Sequence, residues 1–318
     1  MKRRRRNLIQ IFVLVLLGIS VILTLLYPTL SVYFPKRVPI EVSVIVRDSD
    51  TTLLNTLRMG MEQAASDQGA ELRFLLPSSS NSAKEQEELL QREVERGTDA
   101  LIIMAADSEK MQESLEEMTV QLPFITLESS LKGERQYFSP DNYQVGKQLA
   151  LAALETGSDQ TVMLIDSCES SWGFSERVQG AQETLEKAGV KVIRWSRSDS
   201  RITDGLNYAI VRQNVGKVIA FDDASTQKIS QYYSQRESWP ELYGVGCTEA
   251  ITTGLEQGVL SAIAAWSEYA AGYMAVEEAI ASVRGEYTIS KELLRFSIVR
   301  GDEMYEPENQ KLLFPVTS

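Results

Sequence analysis

From Ile40 onward the chain alternates short apolar, β-rich runs with amphipathic stretches of helical period, and that alternation leaves few architectures open. Glu41–Val46 (EVSVIV), Glu71–Leu76, Ala100–Met104 and Phe124–Leu127 read as strands. Between them Leu53–Gln68, Ser82–Arg96 and Ser108–Val120 carry helical spacing, and the first two stop at Gly69 and Gly97. After a break the pattern restarts. Strands are expected at 161–166, 190–195, 217–221, 242–245, 260–265 and 293–299. Helices are expected at 143–155, 175–188, 202–213, 224–235, 249–257 and 269–283. Strand–helix–strand repeats of this kind build parallel sheets covered on both faces. Two series of similar length imply two doubly wound lobes. In open parallel sheets ligands sit beyond the carboxyl ends of the strands, so two facing lobes form a binding cleft.

The first 39 residues follow other rules. Met1–Arg6 reads MKRRRR, and residues 8–27 form an apolar run without a charge. Twenty helical residues span about 30 Å, the thickness of a bilayer's hydrocarbon core. The run exceeds the usual apolar region of a secretory signal peptide and lacks an Ala-x-Ala cleavage pattern. We therefore expect a cytoplasmic basic tail over 1–7, one transmembrane signal anchor over 8–27 and a linker over 28–39. The arginine block stays inside by the positive-inside rule, which puts 38–318 on the extracytoplasmic side of the cell membrane.

Charge and composition narrow the function. Residues 1–37 hold seven Lys/Arg and no acid, leaving 25 of the 32 basic residues against all 44 acidic ones in the body. A body that acidic repels nucleic acid. The chain has no histidine, which removes Ser-His-Asp and Cys-His catalysis and His-ligated zinc. Two cysteines make neither a four-cysteine zinc site nor a disulfide scaffold. No G-x-G-x-x-G follows the first strand, so a dinucleotide site is not expected. With no catalytic constellation in the sequence, neither an enzyme activity nor a cofactor is expected.

Several strings, in order, resemble the periplasmic sugar-binding family that includes ribose-binding protein, whose lobes are shared with repressors of the lactose-operon class. They are VSVIV, RMGMEQAASDQGAEL, ERGTDALIIMAADSE, LPFITLESS, SPDN at Ser139–Asn142, SERVQGAQETLEKAG, KVIAFDDAS and GLEQGVLSAIAAW. The likeness spans about residues 41–300. It implies a three-segment hinge near Ser139–Asn142, Ala264–Ser267 and Gly285–Leu293. It also implies an N-terminal lobe of 40–140 with 267–318 and a C-terminal lobe of 141–266. No helix-turn-helix segment precedes the first lobe, which disfavours a repressor.

The resemblance also nominates ligand-binding residues. The loop after the first strand contributes Arg47, Asp48 and Thr51, although it also reads as a solvated helix cap. Leu53 and Leu54 stand where sugar binders of the family carry stacking aromatics. Glu128 takes the place of an aspartate acceptor, although it also reads as a surface acid at a strand end, and Ser129 takes that of an arginine. Arg177 matches the family's binding arginine, although it also reads as a salt-bridging helix arginine. Trp172 and Phe174 either restore an aromatic platform or cover the core. Asp222 is the expected contact and Asp223 the expected helix cap. Gly246 stands where relatives carry a binding aspartate, and Trp266 either faces the pocket or packs the hinge. Arg47 adds a cation that suits an anionic ligand. In the family's strand order another strand separates Cys168 from Cys247, about 10 Å apart and too far to pair without backbone movement.

The expectation is an extracytoplasmic solute-binding protein closing its lobes on a small polar, sugar-like ligand for an ABC-type importer. The alternative is a membrane-anchored sensory subunit presenting ligand state to a histidine kinase or chemoreceptor. The expected partners are thus the ligand, a permease or sensor kinase, and the membrane, with no nucleic acid.

Overall fold

In the computed structural model, residues 12–22, 24, 39–118, 121–131, 137–195, 202–286 and 293–314 are described. Two compact units arise, residues 1–39 and 40–318. In the first, residues 12–22 are helical, with Phe12, Leu14 and Ile22 among many exposed apolar side chains. Residues 8–11, 23 and 25–27 of the expected span, the basic tail and nearly all of the linker lie outside the described residues. Among the described residues no helix is long and apolar enough to cross a membrane.

The body contains two sheets. The first is built from β1 (Ile40–Ile45), β2 (Ala70–Leu75), β3 (Ala100–Ile103), β4 (Phe124–Leu127) and β5 (Tyr137–Phe138), in the order β2-β1-β3-β4-β5, all parallel. Its helices are α1 (Asn55–Gln68), α2 (Ala83–Arg96) and α3 (Ser108–Glu117). A 3-10 turn at Thr51–Leu54 leads into α1. The second sheet follows α4 (Asn142–Glu155). It contains β6 (Thr161–Ile165), β7 (Val192–Trp195), β8 (Val215–Ala220), β9 (Glu241–Val245), β10 (Ala262–Trp266) and β11 (Phe296–Val299), in the order β11-β10-β9-β8-β6-β7. Its helices include α5 (Trp172–Lys187), α6 (Ile202–Gln213), α7 (Asp223–Tyr233) and α8 (Glu249–Glu256).

Local chemistry explains most boundaries. Ser82, Asp107, Asp141 and Thr248 sit at helix N-caps, each accepting a backbone N–H of the first turn. Gly69 closes α1 at φ +68°, a left-handed conformation that a side chain resists. The central strands are buried on both faces, as in β3, where Ala100, Leu101, Ile102 and Ile103 are all within 1% of full burial. Alternate residues therefore feed two apolar layers per sheet. In the first lobe, Val42, Val44 and Ile102 pack under α1, while Ile45, Leu101 and Ile103 pack under α2 and α3.

The chain crosses between lobes three times. Residues 139–141 lead from β5 into α4, and Ser267 leads from β10 into α9 (Glu268–Val283), which returns to the first sheet and packs along α1. Beyond α9 the chain crosses back over a stretch partly outside the described residues. Leu294 donates its N–H to the Ser139 carbonyl at 3.0 Å, so the outgoing and returning hinge segments pair. The placement of 267–318 in the N-terminal lobe needs correction. Strand β11 runs antiparallel on β10, and Val299, Met304 and Leu313 join the second lobe's core, Leu313 from the short α10 (Pro307–Leu313). Of the described helices and strands after β10, α9 packs on the first sheet, and Leu294 also touches that lobe's core. The reason is the edge of β10, whose unpaired backbone groups take β11 as a partner.

Each lobe contains one helix pair in backbone contact. A Cβ on Gly60 would lie 2.0 Å from the Tyr269 carbonyl oxygen, and one on Gly272 2.2 Å from that of Leu57. In the second lobe the corresponding glycines of α4 and α5 are Gly146 against Arg177 and Gly180 against Tyr143. This close approach sets where both helix pairs deliver their side chains.

Candidate functional site

The carboxyl ends of β1, β4, β8 and β10 converge between the lobes, as the sheet topology requires. A cavity lies there, with about 30 Å³ of water-accessible space. At ~10–15 Å³ per water this is room for two or three waters, so a ligand the size of a monosaccharide enters only as lobes or side chains move. The cavity's charged lining consists of Arg47, Asp48, Glu128, Asp223 and Glu268. Leu53, Leu54, Leu57, Phe138, Leu294 and Trp266 supply its apolar surface.

Arg47 follows β1 and is almost fully buried. Its guanidinium pairs with Glu128, lies 3.4 Å from Asp48 and stands over the Phe174 ring at 4.4 Å. Burial works against its charge, but Glu128 and Asp48 reverse that effect and hold its pKa above the ordinary arginine value. Burial likewise works against ionised Glu128, and Arg47 and Arg177 outweigh it, so its pKa falls below the ordinary carboxylate value. For Asp48 burial wins over Arg47, and the pKa is raised.

Glu128 holds a left-handed backbone, φ +62°, which is strained by about 1–2 kcal/mol in a residue with a side chain. The hinge supports it. Its carbonyl accepts from Ser139 Oγ at 3.0 Å and from Asn142 Nδ2 at 2.8 Å. The Arg47 side of the site has a separate support in Gln86 on α2, wholly buried, whose Nε2 donates to the Val46 and Met104 carbonyls and whose Oε1 accepts the Ala106 N–H. It ties the ends of β1 and β3 together directly beside Arg47. No sequence motif marked it. A glutamine on a helix can be placed at strand ends only once the sheet is assembled.

The structure brings together Arg47, Asp48, Glu128 and Trp266 at the cavity and places the other four candidates elsewhere. Thr51 is exposed in the 3-10 turn. Trp172 is half-buried at the start of α5, its backbone N–H donating to Ser108 Oγ at 3.1 Å. Arg177 is wholly buried behind the lining. Its Nε donates to Asn142 Oδ1 at 2.7 Å and its Nη1 to the Phe221 carbonyl at 2.8 Å. Its guanidinium lies 4.8 Å from the Phe174 centroid and 4.9 Å from that of Trp266. Burial lowers its pKa, partly opposed by Glu128. It stands where it orients Trp266 and, through Asn142, the Glu128 backbone.

Asp222 and Asp223 exchange their expected places. Asp222 has the extended backbone of a cap, φ −144° and ψ 158°, and its Oδ1 accepts the Ser225 N–H at 2.7 Å. Asp223 begins the helix and lines the cavity. A Cβ on Gly246 would stand 1.7 Å from Asp223 Oδ1. The missing side chain at 246 is thus what admits the Asp223 carboxylate, and an acceptor persists there from a different strand end. Glu268, in the first turn of α9, is the other lining acid that sequence reasoning missed. Only an acid after the LSAIAAW strand could have flagged it.

On one side of the cleft the loop 166–173 fastens the lobes. Asn81 Nδ2 donates to the Ser167 carbonyl, the Cys168 thiol to that of Ala106, and the Ser108 N–H to that of Ser170. Ser129 Oγ bonds Ser171 Oγ and accepts the Gly173 N–H. Cys168 and Cys247 are both free and buried, and β8 lies between their strands. Burial pushes the Cys168 thiol up to about 12.

Residues 42–287 match the sequence profile of the family described as "Periplasmic binding protein domain". No curated protein sequence matches the chain. Among solved structures, a carbohydrate transporter solute-binding protein from Agrobacterium radiobacter in complex with D-arabinose is 18% identical, with TM-score 0.78 over 87% of this chain and all of that one. GanP, a glucose-galactose binding protein from Geobacillus stearothermophilus, is 18% identical, with TM-score 0.75 over 85% of this chain and all of that one. The fold also resembles that of the XylFII–LytSN complex, at 15% identity and TM-score 0.72 over 83% of this chain and 99% of that one.

Proposed function

Because the chain belongs to the periplasmic binding protein domain family, we propose that it is an extracytoplasmic solute-binding protein. It closes two lobes on a sugar or related polar solute and serves an ABC-type importer. The observation that carries this reading is the cavity of charged side chains between two sets of strand ends, bounded by Trp266 and crossed by three hinge segments. Similar structures hold D-arabinose or bind glucose and galactose. Arg47, Asp48, Glu128 and Trp266 are the ligand-facing residues in this reading. Carboxylates accept hydroxyl hydrogen bonds strongly, and an indole face suits the apolar side of a sugar ring.

The test is a thermal-shift titration of the full chain in detergent against D-arabinose, D-glucose, D-galactose and myo-inositol. A ligand of the folded state raises the melting temperature once its concentration exceeds Kd. A saturable shift supports the reading, and a flat response to all four opposes it. We further propose that residues 8–27 anchor the chain, with 38–318 outside the membrane. Protease protection of the tail in intact spheroplasts, with digestion of the body, is the expected result.

A second reading is favoured by two observations, the apolar N-terminal run without a cleavage pattern and a similar fold found in the XylFII–LytSN complex. It is a sensory subunit that hands its ligand state to a membrane histidine kinase. A permease and ATPase encoded beside the chain favour import, and a kinase and response regulator favour sensing.

A further inference from the structure

We infer that the ligand of this cleft carries a protonated amino group, as in an amino sugar, held between the carboxylates of Asp223 from one lobe and Glu268 from the other. The inference rests on the solute-binding reading above and specifies its ligand class.

Charge imbalance is the starting point. Among the described residues lining the cavity, one cation, Arg47, faces four carboxylates. It is already committed to Glu128, Asp48 and the Phe174 ring. Among the described residues no ion pair reaches Asp223 or Glu268. The cation expected from sequence to attract an anion is therefore consumed internally.

An unmet hydrogen-bonding need points the same way. Asp223 lines the cavity, is 8% exposed, and its buried Oδ1 has no hydrogen-bond partner among the described residues. An unsatisfied buried carboxylate oxygen is costly, and an ammonium donor is its strongest remedy. Burial, then Glu268, Glu128 and Asp222, hold the Asp223 pKa well up, with Arg47 opposing. Arg177 also lies within electrostatic reach of Asp223. Burial and Glu128 push Glu268 up to about 8, against a hydrogen bond with Cys247 and the charge of Arg47. Near neutral pH Glu268 therefore holds a proton that a bound cation would displace. The cavity's few water-sized places also match an ammonium group in scale.

The two acids lie on different lobes, Asp223 on α7 and Glu268 on α9. Closing the cleft with both ionised opposes like charges in a medium of low dielectric constant. A proton or an ammonium between them relieves that repulsion, so the same contact that selects an amine also favours closure.

The experiment is calorimetric titration of the full chain in detergent with D-glucosamine and D-galactosamine, each beside its parent hexose and its N-acetyl derivative. We expect the free amines to bind about tenfold or more tightly than either neutral form. About one proton should be released, read from the heat difference between phosphate and Tris buffers, because the ammonium ionises a carboxyl group. Asp223→Asn and Glu268→Gln should each abolish both the preference and the proton release. If the neutral sugars bind as well as the amines, the inference is overturned and the solute-binding reading stands. If binding of the amines releases no proton, or the preference survives in both variants, the Asp223–Glu268 assignment is overturned. Failure of every sugar to bind overturns the inference together with the sugar reading beneath it.

Discussion

Replacing Gly146 with alanine tests the packing that positions Arg177 and, through it, the back wall of the cleft. The new Cβ would stand 1.8 Å from the Arg177 carbonyl oxygen and 2.6 Å from its carbon. Ordinary contact begins near 3.4 Å, so α4 and α5 must part by about 1.5 Å locally, against backbone that no rotamer change can move. Overpacking of this kind costs ~1–3 kcal/mol or more, while alanine in a helix returns about 1 kcal/mol relative to glycine. Displacing α5 also stretches the bonds from Arg177 to Asn142 and Phe221, both buried. Weakening either adds ~1–3 kcal/mol. The net expectation is a loss of about 3 kcal/mol, or roughly 6–12 °C in Tm for a body of this size. Circular dichroism melts of the full chain measure it. Gly285→Ala is the control, because nothing lies near its Cβ and only its φ of +75° resists substitution, for about 1–2 kcal/mol. If Gly146→Ala melts no lower than Gly285→Ala, the close-approach argument is wrong.

Asp222→Ala should lose a helix cap, about 1 kcal/mol or 2–4 °C, and disturb ligand affinity less than Asp223→Asn, as paired melts and titrations would show. Glu268 holds its proton in the folded state up to about 8, above its usual 4.5, so the native state binds more protons across that window and stability falls as pH rises through it. Denaturant titrations at pH 5 and pH 9 should show Glu268→Gln flattening that fall by a few kcal/mol at most, and an unchanged slope would remove Glu268 as its source. Arg177→Ala should destabilise the second lobe by about 3 kcal/mol or more, through lost hydrogen bonds and a buried space beside Phe174 and Trp266, with quenched Trp fluorescence reporting the disturbed indole. Neither thiol should react with iodoacetamide at pH 8 in the native protein, since both are buried and their pKa values are raised; rapid labelling would place one of them at the surface.

Local chemistry made the architecture legible. Strand runs such as TVMLI and helix stops such as Gly97 act through neighbours in sequence, so their elements fall within a few residues of expectation. What exceeded local signals was missed. The two-residue β5 exists because Tyr137 and Phe138 meet the edge of β4, and α10 because Leu313 finds the second core. The site divides along the same line. Arg47 and Glu128 were recognisable as residues at strand ends, but their pairing across 81 positions was not.

The sequence by itself determined two doubly wound α/β lobes, an apolar N-terminal run and strand ends rich in charge, because periodicity, capping and turn preference are properties of adjacent residues. Tertiary structure alone decided that Asp223 and not Asp222 faces the cleft, that Glu268 joins it, that Arg177 stands behind it, and that β11 closes the second sheet. Those outcomes depend on which groups lose water and which charges come within reach once two lobes are pressed together, and burial and Coulomb energy act across space without regard to position in the chain.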